Sequence, residues 1–416
     1  MSTDLPLPLI AVRGTPSECG VAYGRQAADL VAANIEAYLD RFATRARLDQ
    51  TTVRRAGTAF RDATRAYQPR IAAMLDGVAA GADVLVEELY AVNGRTELLS
   101  GALRSECTSV GVLDSRTAGG HTLLAQNWDW HPAQRPYTVL LATRDERGFA
   151  VITLAEAGMV AKAGLNSAGV GLCVNLLGSD RDGRPGGVPY HVLLRGALEA
   201  DCLSLALRAV CTMPRSASVN LMLGQAGPQY EDGAPVGISG GTSGGGSAGV
   251  PEAASGGASS GASGGVSSAG WTGGEVVDVE LVPGAVGVLN PVDGLLTHAN
   301  HLVSGVPARD TYADRGGSSY FRGARVARLL ATPKSPTPGT AAVAGLISES
   351  VIATALADHL SQPHAICRHA DPRDGDDDLS ETLYSVIMDL DDRRLSVAAG
   401  PPCAHPYVDV VLDKVV

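Results

Sequence analysis

Cys107 opens an apolar run, Cys107-Thr108-Ser109-Val110-Gly111-Val112, directly after the charged stretch Leu103-Arg104-Ser105-Glu106. A thiol at the first position of a strand suits one chemistry in particular. If the chain is cut between Glu106 and Cys107, Cys107 gains a free α-amine on the Cα that also carries the sulfur. Nucleophile and base are then held together by covalent geometry, and no histidine is needed. An unperturbed α-amine titrates near pH ~8, so it accepts a proton near neutrality. The pattern predicts a self-cleaving amidohydrolase or acyltransferase with an N-terminal cysteine nucleophile.

Four other segments set polar residues into apolar sequence. In Gln126-Asn127-Trp128-Asp129-Trp130, Asp129 lies between two of the chain's three tryptophans. Its carboxylate could hold the α-amine or orient the thiol; the plainer reading is an exposed strand-end aspartate between two core indoles. In Cys173-Val174-Asn175-Leu176, the Asn175 amide is a candidate oxyanion donor, or an asparagine that pairs with backbone. In Thr297-His298-Ala299-Asn300-His301, strand alternation sets Asn300 on the face opposite Ala299, which makes it the better oxyanion candidate. His298 and His301 would be the bases of a conventional Cys/His thiol hydrolase. In Ala365-Ile366-Cys367-Arg368-His369, Arg368 could bind a substrate carboxylate or brace the site. An uncleaved, inactive binding relative and a merely structural, buried Cys107 are the remaining readings.

The order of these motifs resembles the acyl-coenzyme A:6-aminopenicillanic acid acyltransferase (isopenicillin-N acyltransferase) family of the N-terminal-nucleophile hydrolase superfamily. The matching stretches are Asn93-Gly94-Arg95-Thr96-Glu97, Glu106-Cys107-Thr108-Ser109, Gln126 to Trp130, Glu156-Ala157-Gly158, Gly164 to Asn175, His298 to His301, Ile366 to His369, Met388-Asp389-Leu390 and Gly400-Pro401-Pro402-Cys403. The resemblance implies an α+β fold, a four-layer αββα sandwich of antiparallel sheets. It implies an inactive precursor in which Cys107 attacks the Glu106 carbonyl. The products would be an α chain ending at Glu106 and a β chain starting at Cys107. Asp129, Asn300 and Arg368 fall where the family has supporting active-site residues, and Asn175 falls at the oxyanion asparagine of related bile-salt-hydrolase-like enzymes. The substrate is then a small amide or acyl compound, with acyl-coenzyme A one possible donor and no bound cofactor. Two features depart from the family pattern: Glu106 stands where the fungal enzyme has glycine, and a Gly/Ser-rich tract is inserted.

Composition bounds the alternatives. Apolar residues make up 45% of the 416, but aromatics only 4%, so a core of Ala, Val and Leu is expected. A net charge of −11 with interspersed signs argues against a nucleic-acid partner. No apolar stretch is long enough to span a membrane, and Met1 to Ile10 lacks a secretion signal, which points to the cytoplasm. The seven cysteines contain no Cys-x-x-Cys pair, and His298 and His301 lack partners for a zinc pattern, so neither disulfides nor a metal is expected.

The elements that must position these residues follow from periodicity. Helices are expected over Ser17–Thr44 with Ser17 as N-cap, over Thr51–Ala80 with a break near Pro69, and over Val86–Ser100. Strands are expected over Cys107–Leu113, Thr122–Trp130, Tyr137–Arg144, Phe149–Ala155, Ala161–Leu165 and Gly169–Leu176. Helices over Val188–Ala200 and Leu203–Val210 and a strand over Val219–Leu223 follow. The low-complexity tract 227–274 reads as an insertion between two halves of a hairpin, Ser218–Leu223 and Val276–Val282. Beyond it come strands Val286–Leu289 and Gly294–His298, helices Ser318–Leu330, Ala341–Glu349 and Val351–Leu360, and a hairpin of Tyr384–Leu390 and Arg394–Ala398. The expected organisation is one structural domain made of a helical 1–106 segment and a 107–416 catalytic segment.

Overall fold

The structure is a computed structural model that describes residues 5–99, 106–183, 186–228, 230–231, 234–235, 273–314, 317–331, 346–375 and 378–416. Its first element was not legible in the helical pattern: strand β1 (Leu9–Gly14) precedes the helices. Helices α1 (Pro16–Gln26), α2 (Ala28–Arg45), α3 (Gln50–Tyr67), α4 (Pro69–Ala82), α5 (Val86–Asn93) and α6 (Arg95–Leu98) follow. The expected first helix is thus two, and its N-cap is Thr15 rather than Ser17. The Thr15 hydroxyl accepts from the Glu18 backbone N–H while the Glu18 carboxylate accepts from the Thr15 N–H, and Pro16 fills the first helical position.

Strands β2 (Glu106–Val112), β3 (Leu123–Trp130), β4 (Thr138–Asp145), β5 (Ala150–Glu156), β6 (Gly164–Asn166) and β7 (Val170–Leu176) come next. They lead into α7 (Tyr190–Leu198), α8 (Leu203–Cys211), β8 (Val219–Gln225) and the two-residue strands β9 (Tyr230–Glu231) and β10 (Ala234–Pro235). The remainder is β11 (Glu275–Val282), β12 (Ala285–Leu289), β13 (Leu295–His298), α9 (Ser319–Ala331), α10 (Glu349–Leu356), β14 (Glu381–Asp389), β15 (Arg394–Ala398), β16 (Val408–Val411) and α11 (Leu412–Val415). Residues 341–345 of the helix expected over Ala341–Glu349 lie outside the described residues. Ile347 forms a parallel bridge with Thr117 instead of a helical turn.

Two large sheets result. One has the order β1-β4-β5-β6-β7-β8-β11-β12, the other β13-β2-β3-β14-β15-β16. Every pairing in them is antiparallel except β1 with β4, which are parallel. A parallel neighbour needs a long crossover, and the helical block between β1 and β4 provides one. Strands β8 and β11, on either side of the Gly/Ser tract, pair directly, Leu223 with Val277.

Strands β2 and β3 of the second sheet pack on β7 and β8 of the first. Helices α1, α7 and α8 cover the outer face of the first sheet; α9 and α10 cover the outer face of the second. The fold is therefore α+β with four layers, helix–sheet–sheet–helix. Strands covered on both faces need no polar side, which explains why β3 and β5 are buried throughout.

The side-chain alternation of β2 divides it between two cores. Cys107 belongs to the cluster between the sheets with Leu124, Cys173 and Met222. Val110 and Val112 belong to the cluster under α9 and α10 with Val326, Leu330 and Ile352. The Cys107 side chain thus faces the inter-sheet space, and that of Glu106 faces helix α9.

Helices α1 and α4 approach closely enough that side chains are excluded at the contact. A Cβ on Gly20 would lie 2.0 Å from the Met74 carbonyl oxygen, and one on Gly77 would lie 2.6 Å from that of Ser17. In an ordinary helix Gly→Ala adds about 1 kcal/mol of stability. Here the sign reverses: Gly20→Ala should destabilise by about 1–3 kcal/mol, read as a lower urea midpoint with unchanged slope.

Candidate active site

The Glu106–Cys107 peptide lies at the start of β2, and its two side chains enter different surroundings. The Cys107 side chain is buried beside Arg95, Trp128, Lys162 and Tyr190. The Glu106 carboxylate enters a cavity of about 850 Å³ also lined by Leu176, Asn300, Tyr312, Ser318 and Arg368.

Asn300 holds the bond from one side. Its Oδ1 accepts from the Cys107 backbone N–H at 2.8 Å and from Arg322 Nη2 at 2.7 Å. Two donors on one amide atom settle which atom is oxygen. Its Nδ2 donates to the Leu176 carbonyl at 2.9 Å. Asn300 therefore fixes the nitrogen that cleavage would turn into the α-amine. Its amide nitrogen, expected to serve an oxyanion, is bonded to backbone.

Arg322 grips both residues of the bond. It is fully buried on α9. Its Nη1 donates to the Cys107 carbonyl and to Thr108 Oγ1 (2.7 Å), its Nη2 to Glu106 Oε2 (2.8 Å), and its Nε to Ser318 Oγ (3.0 Å). Sequence reasoning found the helix but missed this residue. The signal was present: Arg322 shares the buried stripe Ser319, Arg322, Val326, Leu330, at a spacing that otherwise carries apolar side chains.

Arg368 completes the cradle of the Glu106 carboxylate, its Nη1 lying 3.1 Å from Oε2. Ser318 Oγ donates to the same oxygen at 2.6 Å and the Tyr312 hydroxyl to Oε1 at 3.3 Å. Burial would push the Glu106 carboxyl up. The Arg322 and Arg368 guanidinium groups outweigh it and bring the pKa down to about 2.

Asp129 sits opposite Glu106 in the β2–β3 register and is fully buried. Its Oδ1 accepts from Thr382 Oγ1 at 2.7 Å. Burial pushes its pKa up to about 7 against the pull of the same two arginines, with the Glu106 charge adding to the rise. Two carboxylates share two cations; the better-solvated and better-bonded one stays charged, and the other is poised near neutrality.

Asn175 lies one sheet away. Its Oδ1 accepts from Ser109 Oγ at 2.7 Å and from Asn220 Nδ2 at 3.2 Å. Its buried Nδ2 has no hydrogen-bond partner among the described residues. The histidines turn elsewhere. His298 is buried with Nδ1 on the Ala299 carbonyl and Nε2 on Glu280 Oε1, both at 2.9 Å. Both partners are acceptors, so the ring is held doubly protonated. Burial opposes that, but Asp278 and Glu280 raise its pKa. His301 Nδ1 is 2.8 Å from Ser319 Oγ.

A second ionic group, also missed, backs the Cys107 side chain. Lys162 Nζ is 2.8 Å from Glu156 Oε2 and 3.6 Å from the centre of the Trp128 ring. Arg95 lies over Trp130, and Tyr38 donates to Glu156 Oε1 at 2.6 Å. Burial first, and then Arg95, lower the Lys162 pKa to about 7 although Glu156 raises it. Lys162 is one of three lysines in the chain and stands in the apolar run Met159-Val160-Ala161-Lys162-Ala163, which was its signal.

Residues 116–230 match the profile of the family described as Acyl-coenzyme A:6-aminopenicillanic acid acyl-transferase. The family resemblance read from the sequence holds. A curated relative, the 40 kDa form of acyl-coenzyme A:6-aminopenicillanic-acid-acyltransferase from Emericella nidulans, is 30% identical over 224 residues. That alignment spans 53% of this chain and 61% of the relative, so this chain covers less than two thirds of its length. Among solved structures, penicillin V acylase from Agrobacterium tumefaciens is 13% identical, over 74% of this chain and 87% of that one, with a TM-score of 0.40. A mutant conjugated bile acid hydrolase from Clostridium perfringens is 11% identical, over 74% and 93%, with a TM-score of 0.34.

The clamp yields a pH-dependent test in uncleaved Cys107→Ala protein. Adding Glu106→Gln leaves two arginines without their carboxylate and should destabilise by about 3–5 kcal/mol. Because the Glu106 pKa is depressed, its contribution is complete above the unfolded value of ~4.3 and is lost as pH falls towards about 2. The stability difference between the two proteins should be flat above that value and shrink below it, as followed by urea denaturation.

Proposed function

We propose that this chain is a self-processing N-terminal cysteine amidohydrolase or acyltransferase that acts on small amides through a thioester. The observation that carries the reading is the hold on the two residues that flank one peptide bond: Asn300 on the Cys107 nitrogen, Arg322 on the Cys107 carbonyl, and Arg322 with Arg368 on the Glu106 side chain. The relative's acyltransferase activity supports it.

In the uncut chain the Cys107 sulfur attacks the Glu106 carbonyl carbon. The C–N bond breaks, the Cys107 nitrogen takes a proton and becomes the α-amine, and the Glu106 acyl group passes to sulfur. Water then hydrolyses the thioester and releases Glu106 as a free carboxylic acid. Before cleavage no α-amine exists to accept the thiol proton. Lys162, in the same pocket and poised near neutrality, takes that role.

In the mature site the α-amine becomes the base and stays hydrogen-bonded to Asn300 Oδ1. Asn175 Nδ2 is the amide donor left for the oxyanion, a contribution worth about 3–4 kcal/mol in comparable sites. Asp129 balances the two arginines. When Glu106 withdraws, Arg322, Arg368, Ser318 and Tyr312 face the cavity, and they recognise a carboxylate on the acyl half of the substrate. Water or a second amine completes turnover. The conventional Cys/His alternative, with His298 or His301 as base, is disfavoured because both His298 nitrogens are committed to other partners and His301 Nδ1 lies against Ser319 Oγ.

Intact-mass spectrometry and N-terminal sequencing test the core of this reading. Wild-type protein should give a second chain beginning at Cys107, and Cys107→Ala a single inactive chain; full amidase activity in an unprocessed chain would overturn it. Lys162→Met should slow processing about 10²-fold. It should also abolish the rise in processing rate that wild-type protein shows as pH climbs through about 7. On the mature enzyme, an amide whose acyl group ends in a carboxylate should exceed its neutral carboxamide analogue by about 10–100-fold in kcat/KM, and Arg368→Met should erase the difference mainly through KM.

A further inference from the structure

A separate cluster stands behind the Arg368 loop. His359 follows α10, Cys367 and His369 flank Arg368, and Cys403 lies in the turn after β15. One donor atom from each of these four side chains falls within 4.8 Å of the other three. His369 Nε2 is 3.2 Å from His359 Nε2, 3.4 Å from Cys403 Sγ and 3.7 Å from Cys367 Sγ.

Those separations match a tetrahedron. Zinc–nitrogen bonds of about 2.0–2.1 Å and zinc–sulfur bonds of about 2.3 Å at tetrahedral angles place nitrogen pairs about 3.3 Å and nitrogen–sulfur pairs about 3.5 Å apart. Hydrogen bonding alone does not account for the arrangement. A ring nitrogen carries one proton or one lone pair, yet His369 Nε2 faces three heteroatoms at once. A cation among the four would give every donor its partner.

We propose that His359, Cys367, His369 and Cys403 form a structural zinc site. Four protein ligands close the coordination sphere, which marks a structural rather than a catalytic metal. Two thiolates and two neutral imidazoles balance the charge of the ion. Chain entropy explains its place. The metal ties together the segment after α10, the loop carrying Arg368, and the β15–β16 connection, none of which is a regular element. The Arg368 backbone is further pinned to β14: its N–H donates to Thr382 Oγ1 and its carbonyl accepts from the Thr382 N–H. Zinc thus sets the origin from which the Arg368 side chain reaches Glu106. The proposal does not depend on Cys107 being a nucleophile.

Reduced wild-type protein incubated with zinc and then desalted should carry about one zinc per chain by elemental mass spectrometry. Cys403→Ser and His359→Ala, both at exposed positions, should retain only a small fraction while keeping the wild-type circular dichroism spectrum. Replacing zinc by cobalt(II) in wild-type protein should produce thiolate-to-cobalt charge transfer in the near ultraviolet and intense tetrahedral d–d bands, both lost in Cys403→Ser. Wild-type protein that keeps no zinc after incubation would overturn the proposal. So would equal retention by both variants, or a Cys367–Cys403 disulfide in freshly purified wild-type protein.

Discussion

One carboxylate between two guanidinium groups organises this molecule. Glu106 is mostly withdrawn from water, and a buried charge is tolerated only when paired and hydrogen-bonded. Arg322, Arg368, Ser318 and Tyr312 meet that need together. The same constraint places the adjacent peptide bond. With the Glu106 side chain anchored towards α9, strand alternation sends the Cys107 side chain into the space between the sheets; Asn300 falls on the Cys107 N–H between them and Arg322 on the Cys107 carbonyl just beyond. Geometry at the bond is thus a consequence of where one charge can be satisfied.

The rest of the fold serves that anchor from both sides. Helix α9 lies across β13 and β2, so that Arg322 and Ser319 reach Asn300 and the residues of the bond. On the other face the helical segment before the bond is built into the first sheet: β1 pairs with β4, Tyr38 binds Glu156, and Asn93 binds the Gly158 carbonyl. The residues upstream of Glu106 are therefore structural partners of those downstream, joined by burial as well as by a covalent bond. Cleavage would free the Glu106 end while leaving these contacts in place.

Electrostatics then divides the labour. Glu106 and Asp129 face one another across two strands and titrate far apart, because only one of them has the arginines at hydrogen-bonding distance. Lys162, buried beside an indole ring and a second cation, is brought to the range in which it can exchange a proton. These opposite shifts arise from the same low-dielectric interior and differ only in which neighbours are close.

Local sequence determined the elements. Apolar alternation and helical periodicity located nearly every strand and helix of both sheets and their cover, and a polar residue inside an apolar strand pointed to Cys107, Asp129, Asn175 and Asn300. The misses were of two kinds. Thr15 took the cap expected of Ser17 because a reciprocal bond with Glu18 outweighed position, and strands β1 and β16 went unread, β1 because Pro6, Pro8 and Pro16 interrupt the sequence around it. The cradle itself was beyond local reach. Arg322 meets Cys107 across 215 residues and Asn300 meets it across 193, and the four residues of the proposed zinc site come from two separate connections, α10–β14 and β15–β16. Periodicity reports which face a side chain occupies. Which charges share that face is decided only when the layers pack, because the free energy that pairs them is that of burial.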